Sequence, residues 1–440
     1  MRSRVYFVFL VLLYRALLDL LYYVWISPYF SYAGLVLEIN TTFYIALSYI
    51  LLILSASIVP IKTRRPSEFI IGFLYLVSYV PLTSLVAFGG FSESAFLWLS
   101  LMFVLLLLLF HRSPRATSSI SFGKEGEFLI LVVFGFFVSA TLALLLKYGF
   151  KLPSTILDVY GIRSEYKASL SGDRLIAYIL PWLAYIIIPF IVAWSLINRK
   201  VLVLFTAILG QLYIFAIAGL KGQFFALFFI IWLLIGVHYF KQRLLHYMTA
   251  SLISLLTISN IIDGLFKEPT MTDLLRRLFF VPAQLYCYYY DFFGKNAHTY
   301  LSQSSIFGWF LHYPYDLPIP NLIGDVYFLK PETTANANLW ADSYASFGVI
   351  GMFIFSILLW LTAVVIDRVS WGKNDYLVYT LLAMPTYSLT NSSLQITMLT
   401  HGALLSIFLI LLLPKVQDMP FSSNNLLKSH KLKPEAIAQK

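Results

Sequence analysis

The chain has 440 residues, of which 60% are hydrophobic and only 12% are charged. A soluble globular domain carries about a quarter charged residues, so this composition excludes a water-soluble fold. The formal net charge of +10 would suggest nucleic-acid binding in a soluble protein, but in a membrane protein its position along the chain matters first. With a single cysteine, Cys287, the chain can form neither an internal disulfide nor a cysteine-rich zinc site.

The N-terminal segment resembles a signal peptide, because Arg2 and Arg4 precede an apolar run. The run is too long for a signal peptide, contains Arg15 and Asp19, and is not followed by a small-residue cleavage site. We therefore predict a retained first transmembrane helix. Arg15 and Asp19 are four residues apart on one helix face, so we expect them to pair with each other.

Apolar runs of helical length recur from Val5 to Leu413, each close to the ~20 residues that a helix needs to cross a bilayer. The sequence lacks the alternating segments that a transmembrane β-barrel would show. It therefore predicts an all-α polytopic membrane protein with about 12 transmembrane helices. The predicted spans are 5–26, 41–60, 69–88, 95–111, 126–147, 175–197, 201–219, 223–240, 244–262, 346–367, 375–393 and 398–414.

The loops between these spans alternate in charge. Short basic loops such as 62–65, 111–115 and 241–243 alternate with loops that have no such excess of Lys and Arg. Short basic loops face the cytoplasm, so we predict that both termini are cytoplasmic and that loops 148–174 and 263–345 are periplasmic, in a bacterial inner membrane. The net positive charge then reflects orientation, and we expect no nucleic-acid partner.

The predicted organisation has four parts. Residues 1–262 carry the first nine helices, 263–345 form a large periplasmic loop domain, 346–414 carry the last three helices, and 415–440 form a basic cytoplasmic tail. The polar composition of the tail predicts disorder. Within the loop domain, the apolar and aromatic stretch from Met271 to Phe293 predicts short helices that lie in the membrane interface.

Exterior cations near the membrane surface are the first candidate site residues. Lys221 lies in a very short turn between two spans, where flanking glycines would let a phosphate approach backbone N–H groups. Cations at this depth suit a lipid-linked phosphate or pyrophosphate, although contact with phospholipid headgroups is the alternative. The other candidates are Arg163 and Arg174 in the loop 148–174, and Arg276 and Arg277 in the large loop.

A second group of candidates precedes the tenth predicted span. Asn336, Asn338 and Asp342 offer amides and a carboxylate that can bond sugar hydroxyls, and the ring of Trp340 could cover the apolar face of a sugar. Helix capping and an interfacial tryptophan explain the same pattern equally well. His312 is a candidate general base near neutral pH, with a structural loop histidine as the alternative.

Other classes of chemistry have no support in the sequence. There is no Walker loop for ATP-driven transport, no Gly-x-Ser-x-Gly of a serine hydrolase, and no Asp-x-Asp outside the predicted spans. No metal-ligand cluster is evident, because His298 and His312 are fourteen residues apart. We therefore expect neither a metal nor a cofactor.

Three stretches, in this order, resemble Wzy-type O-antigen polymerases. They are Gly219-Leu-Lys221-Gly-Gln-Phe, the run from Leu274 to Pro282 that contains both arginines, and Asn336-Ala-Asn338 followed by Tyr344 to Gly351. The two large exterior loops and the number of predicted helices fit the same family. By topology the resemblance covers most of the chain, and by motif it covers about thirty residues.

The resemblance implies a metal-independent membrane glycosyltransferase of lipopolysaccharide biosynthesis, related to the O-antigen ligases. Such enzymes transfer a growing glycan from undecaprenyl pyrophosphate to an incoming lipid-linked repeat unit on the periplasmic face. The implied partners are undecaprenyl-pyrophosphate-linked oligosaccharides, membrane lipid and a chain-length regulator protein. The ligases carry a histidine where this chain has Ala337. This favours a polymerase and leaves the general base open between His312 and Asp342.

Two alternatives remain open from the sequence. A transporter or flippase of lipid-linked oligosaccharides would place charges along the middle of the helix bundle, where this chain has few. A ligase-type glycosyltransferase is the other alternative.

Overall fold

The computed structural model of the protein describes residues 2–113, 126–151, 159–169, 174–304 and 307–416, and the regular secondary structure in these ranges is helical. The extended pairing found there is an isolated bridge between Glu38 and Gly89. The predicted all-α class is therefore confirmed for the described residues. Beyond its first two residues, the predicted disordered tail lies outside this part of the chain.

The helices follow one another with short connections. They are α1 (Arg2–Ala33), α2 (Thr42–Ile58), α3 (Pro66–Phe88), α4 (Glu93–Arg112), α5 (Gly126–Tyr148), α6 (Val159–Ser169), α7 (Arg174–Trp182, Leu183–Ile187 and Ile188–Asn198 in succession), α8 (Val201–Ala218), α9 (Lys221–Phe240), α10 (Leu244–Phe266), α11 (Thr270–Leu275), α12 (Val281–Lys295), α13 (Ile319–Phe328), α14 (Leu339–Ser370), α15 (Asp375–Ser388), α16 (Leu394–Leu399) and α17 (Ala403–Leu412).

Among the described residues, 9 helical segments are long and apolar enough to cross a membrane. One of them, Lys221–Phe266, joins α9 and α10 and so contains two of the predicted spans, separated by the 3-10 turn Lys241–Arg243. Two other predicted spans correspond to the shorter helices α2 and α15. The polytopic membrane character is thus supported, while the number of twelve crossings stays a prediction.

Each of four long helical runs contains a turn of π-helix, and a proline follows each turn. The π turns are Tyr22–Ile26, Tyr75–Tyr79, Leu183–Ile187 and Arg276–Phe280, and each precedes a segment whose second residue is proline. Proline has no N–H to donate and its ring clashes with the carbonyl four residues earlier, so the preceding turn widens. The sequence therefore accounts for these irregular turns.

The chain forms two compact units, each built from separate stretches of sequence. The first unit comprises Met1–Arg115, His238–Asp367 and Pro385–Met398. The second comprises Ala116–Val237, Arg368–Met384 and Leu399–Lys440. The large loop 263–345 is part of the first unit.

The helix α3 is the centre of the first unit, since all residues of its apolar window are buried. The rings of Tyr75 and Tyr79 stack with their centres 5.6 Å apart, and Phe103 of α4 packs on Tyr79 at 4.9 Å. The Tyr286 hydroxyl of α12 donates to the carbonyl of Ala95 (2.8 Å) and is fully buried. The helix α12 therefore contributes to this core as well as to the predicted exterior loop.

An ion pair and a hydrogen-bonded buried carboxylate fix the first unit. Arg15 Nε lies 2.6 Å from Asp19 Oδ1, which confirms the predicted pairing, and the Tyr49 hydroxyl donates to the other carboxylate oxygen (2.7 Å). At the ends predicted to be cytoplasmic, Asp367 accepts hydrogen bonds from the Ser67 backbone N–H and hydroxyl (2.9 and 2.6 Å). These contacts tie α1 to α2, and α3 to α14.

Candidate active site

The helix α14 bends sharply near its start. Phe347 (φ −143°) and Gly348 (φ 61°, ψ −148°) leave helical geometry, so a short first part precedes a long apolar helix. A backbone with this positive φ favours glycine. The bend separates the candidate residues 336–342 from the part of α14 that is long enough to cross a bilayer.

A loop from another part of the chain covers this bend. The carbonyls of Ala345 and Ser346 have lost their helical partners and accept hydrogen bonds from the N–H groups of Thr299 (2.9 Å) and Tyr300 (3.0 Å). Both new bonds satisfy polar groups that would otherwise be unpaired at the helix break. The segment around Thr299 is therefore fixed against the start of α14.

Asp342 presents a carboxylate without a hydrogen-bond donor. It lies on the short first part of α14 and is half-buried, and no described residue donates to its side chain. Burial raises the pKa of Tyr289, and the nearby negative charge of Asp342 raises it further. The Tyr289 hydroxyl is already engaged, since it donates to the carbonyl of Ala335 (3.0 Å). The carboxylate is therefore available to a ligand hydroxyl.

Aromatic side chains from three segments pack together in this region. The Phe293 ring of α12 lies 6.0 Å from Tyr315, which in turn lies 5.8 Å from Tyr313. Tyr290 and Tyr344 stack with their centres 4.4 Å apart. Aromatic surfaces with a few polar groups are suited to a ligand that has both apolar faces and hydroxyls, as sugars do.

The structure gives two of the predicted sugar-binding residues other roles. Asn338 is 1% exposed, and its side-chain oxygen accepts hydrogen bonds from the N–H groups of Trp340 (3.1 Å) and Ala341 (3.0 Å). Trp340 is fully buried, with its ring 4.8 Å from Phe103 and its Nε1 donating to Ser356 (3.0 Å). We therefore assign Asn338 to helix capping and Trp340 to the core.

The remaining residues of that group lie at the surface. Asn336 and His312 are both exposed. No side-chain contact joins His312 to Asp342 within the described residues. The structure thus keeps Asn336 and Asp342 as accessible polar groups and leaves His312 without a positioning contact.

Arg276 and Arg277 converge on one carboxylate. Arg276 is 8% exposed, its Nη2 donates to Asp273 Oδ1 (2.8 Å), and its guanidinium lies 4.3 Å from the ring centre of Phe30. Arg277 Nε lies 3.3 Å from the other carboxylate oxygen. The Nε of Arg276 is enclosed and has no hydrogen-bond acceptor among the described residues. One N–H of a buried, oriented cation therefore remains unsatisfied.

The charges of the two arginines decide the ionisation of Asp273. Burial raises the pKa of this carboxyl, but the hydrogen bond from Arg276 and the positive charges of Arg277 and Arg276 outweigh it, so that the pKa is lower than usual. The carboxylate stays ionised and holds Arg276 in place.

The second unit contains the other predicted cations. Lys221 is the first residue of α9, is exposed, and pairs with no described residue. Gly219, in the preceding turn, has a φ of 61°. Arg163 is exposed on α6, and Arg174 begins α7 with its side chain outside the described part of the structure.

Sequence reasoning missed two buried glutamines beside Lys221. Gln211 Nε2 donates to the backbone carbonyl of Gln223 (2.6 Å), while neither side-chain amide atom of Gln223 has a partner in the described residues. Gln223 is fully buried. The available signal was the presence of amide side chains within apolar helices, where a polar group needs a partner.

The described residues hold no group of three or more His, Cys, Asp or Glu side chains that could bind a metal ion. Comparisons with protein-family models, with curated proteins and with solved structures find no match. The resemblance to O-antigen polymerases therefore depends on the three sequence stretches and the predicted topology.

Proposed function

We propose that the protein is a membrane glycosyltransferase of the O-antigen polymerase type. It would transfer a growing glycan from undecaprenyl pyrophosphate to an incoming lipid-linked repeat unit. The observation that carries the proposal is the Asp342 carboxylate at the start of α14, which accepts no hydrogen bond from any described residue and lies near Tyr289. A hydroxyl-bearing ligand would supply the missing donor.

In this reaction, the acceptor hydroxyl oxygen forms a bond to the anomeric carbon of the donor glycan. The bond from that carbon to the pyrophosphate oxygen breaks, and its electron pair leaves with undecaprenyl pyrophosphate. The hydroxyl proton passes to a base. In the proposal, Asp342 orients the acceptor hydroxyl. A bimolecular reaction then becomes an effectively unimolecular step, because the hydroxyl is already held in place.

The cations would stabilise the charge that develops on the leaving group. Pyrophosphate leaves readily only if its charge is held, and donors that are already oriented do this most effectively. Arg276 has a guanidinium held in a fixed position, and Lys221 has an ammonium group with no partner among the described residues. Arg277, Arg163 and Arg174 are also proposed to bind lipid-linked pyrophosphate.

Purified protein supplied with a lipid-linked repeat unit tests the function directly. We expect long polymer to form, and Asp342→Asn to lower the transfer rate about 100-fold, in the range seen when one positioning or acid–base group is lost. Asp325→Asn is the matched control, since Asp325 is an exposed carboxylate in the same loop. Normal transfer by Asp342→Asn at equal protein level would contradict the proposed role.

We further propose that the site faces the periplasm, in the inner membrane, with both termini in the cytoplasm. The support is the alternation of basic loops. After replacement of the buried Cys287, a cysteine introduced at the exposed position Asp325 should react with a membrane-impermeant reagent from the periplasmic side. Reaction only from the cytoplasmic side would reject this orientation.

One observation favours the flippase alternative. The Arg15 side chain is fully buried in α1, and neither Nη atom has a partner among the described residues, as is expected for a charge that takes part in transport. Deletion of the gene separates the two functions. Loss of a polymerase leaves surface polysaccharide with a single repeat unit, whereas loss of a flippase leaves none.

A further inference from the structure

We propose that His298 accepts the proton of the acceptor hydroxyl. This inference rests on the proposed glycosyltransferase function and assigns its missing base. Neither the sequence motifs nor the resemblance singles out His298, which lies about fifty residues before the Gly348 that it contacts.

The structure holds the imidazole from several sides. Phe293 of α12 lies parallel to it at 6.5 Å, and Tyr344 of α14 meets it edge-on at 5.8 Å. The next two residues, Thr299 and Tyr300, donate their N–H groups to the carbonyls freed by the bend in α14. The position of the ring is therefore set by both its own packing and the backbone that follows it.

The two ring nitrogens have different surroundings. Nδ1 is enclosed and has no hydrogen-bond partner among the described residues. Nε2 lies beside Gly348, where an added Cβ would be 3.1 Å away, closer than ordinary contact. The glycine thus lets the backbone of α14 pack closely against Nε2. No described residue forms a hydrogen bond with Nε2, which therefore can accept one from a ligand hydroxyl.

The backbone around the imidazole adopts costly conformations. Tyr300 (φ 51°) and Leu301 (φ 63°) have positive φ without being glycine, and Gly348 has a φ of 61°. Such conformations persist only where surrounding contacts impose them, and they concentrate at functional sites. The two non-glycine residues, Tyr300 and Leu301, therefore mark a constrained loop next to His298.

His298 is a better base than the two earlier candidates on geometric grounds. His312 is exposed, so it would lose side-chain entropy each time it was positioned for proton transfer. Asp342 retains the role of orienting the hydroxyl. The step then balances as follows: the hydroxyl proton moves to His298 as its oxygen bonds to the anomeric carbon, and the electron pair of the broken bond leaves on the pyrophosphate.

The pH profile of transfer distinguishes a base from a structural histidine. The ionisable groups that face the imidazole are the phenols of Tyr344 on α14 and Tyr300 on its own loop, while α12 contributes Phe293. A decline in rate on the acidic side can come from protonation of His298 or of the Asp342 carboxylate, so only the part of the decline that His298→Gln removes is assigned to the histidine. In the wild-type protein we expect this decline, and in His298→Gln we expect the histidine's part of it to disappear.

The experiment compares single variants in the polymerisation assay with a purified lipid-linked repeat unit. His298→Ala should lower the rate about 100-fold or more, added imidazole should restore part of it, and His312→Ala should stay within about twofold of wild type. Gly348→Ala should also lower the rate, because its methyl group meets Nε2. Gly372→Ala is its control, since that glycine has a similar φ of 73° and open space around it.

Several results would overturn the inference. If the His298→Ala variant is folded and transfers at the wild-type rate, His298 is not the base. A loss that is equal at every pH and insensitive to imidazole shows a structural histidine instead. If both histidine variants behave as wild type while Asp342→Asn is inactive, the function stands and this inference alone fails. No transfer by the wild-type protein overturns both.

Discussion

Arg276 and Lys221 are both proposed to hold pyrophosphate, but the protein presents them in opposite ways. Arg276, in the first unit, is 8% exposed, stacks on Phe30 and bonds to Asp273. Lys221, in the second unit, is exposed at the first turn of α9 and pairs with no described residue. One cation is fixed before any ligand arrives, and the other is free to move.

This difference has consequences for both rate and salt dependence. A buried guanidinium whose direction is set loses little entropy when it binds, and the low dielectric around it strengthens its interaction. An exposed ammonium on a flexible stem must be ordered by the ligand, and dissolved salt screens it. We therefore expect Arg276 to contribute most to transition-state stabilisation and Lys221 to contribute less and in a salt-dependent way.

The largest effect is expected for Arg276→Ala. Losing a positioned donor to a developing negative charge costs about 10²–10³ in rate, and we expect this variant at the upper end. Arg276→Lys should not restore the rate, because an ammonium cannot reproduce the planar fork that bonds Asp273 and stacks on Phe30. Transfer by equal amounts of purified protein measures both variants.

The matched control for Arg276 is Arg368→Ala, which removes an exposed arginine from the far end of α14. It should transfer at the wild-type rate. A rate for Arg276→Ala within about threefold of wild type would mean that its enclosure serves the fold alone.

A smaller loss, about 10-fold to 100-fold, is expected for Lys221→Ala. Raising the salt concentration should slow the wild-type protein and bring it closer to the variant, since the exposed ammonium is screened. Lys200→Ala, which removes another exposed lysine of the second unit, is the control. Equal salt dependence in wild type and Lys221→Ala would contradict the exposed-cation interpretation.

The sequence predicted the helical class and one buried ion pair, because those features follow from local patterns. Apolar runs of sufficient length predicted the spans, and i, i+4 spacing predicted the pair of Arg15 and Asp19. The local pattern around Asn338 allowed capping and sugar binding equally, and only its hydrogen bonds to the next helical turn distinguish them.

Contacts between residues that are distant in sequence could not be predicted from local sequence patterns. Trp340 beside a carboxylate and amides looks like a sugar platform until Phe103 and Ser356 are seen to enclose it. The contact of His298 with Gly348 and that of Arg276 with Phe30 depend on tertiary packing alone. Local sequence gives the chemical types at a site, whereas enclosure is a property of the whole fold.

The smallest expected effect concerns the contact between Asp273 and Arg276. It is a change in the pH dependence of the free energy of unfolding. Asp273 has a lowered pKa because the hydrogen bond from Arg276 and the two arginine charges outweigh burial. A carboxyl whose pKa is lower in the folded state stabilises that state above its ordinary pKa. This contribution is lost as the pH falls through the lowered value, below the usual range of aspartate near pH ~4.

Asp273→Asn should therefore unfold at a lower temperature than the wild-type protein at neutral pH, by a few degrees. The difference in unfolding temperature between the two proteins should become smaller at acidic pH, because the wild-type carboxyl becomes protonated and the amide does not change. Thermal unfolding of both proteins in detergent from pH ~7 to pH ~3 measures it. Asp316→Asn, which changes an exposed carboxyl in the same loop, should show no comparable gap. A gap for Asp273→Asn that stays constant with pH would show that Arg276 is held by packing on Phe30 rather than by charge, and the fixed cation would then owe its position to an aromatic ring.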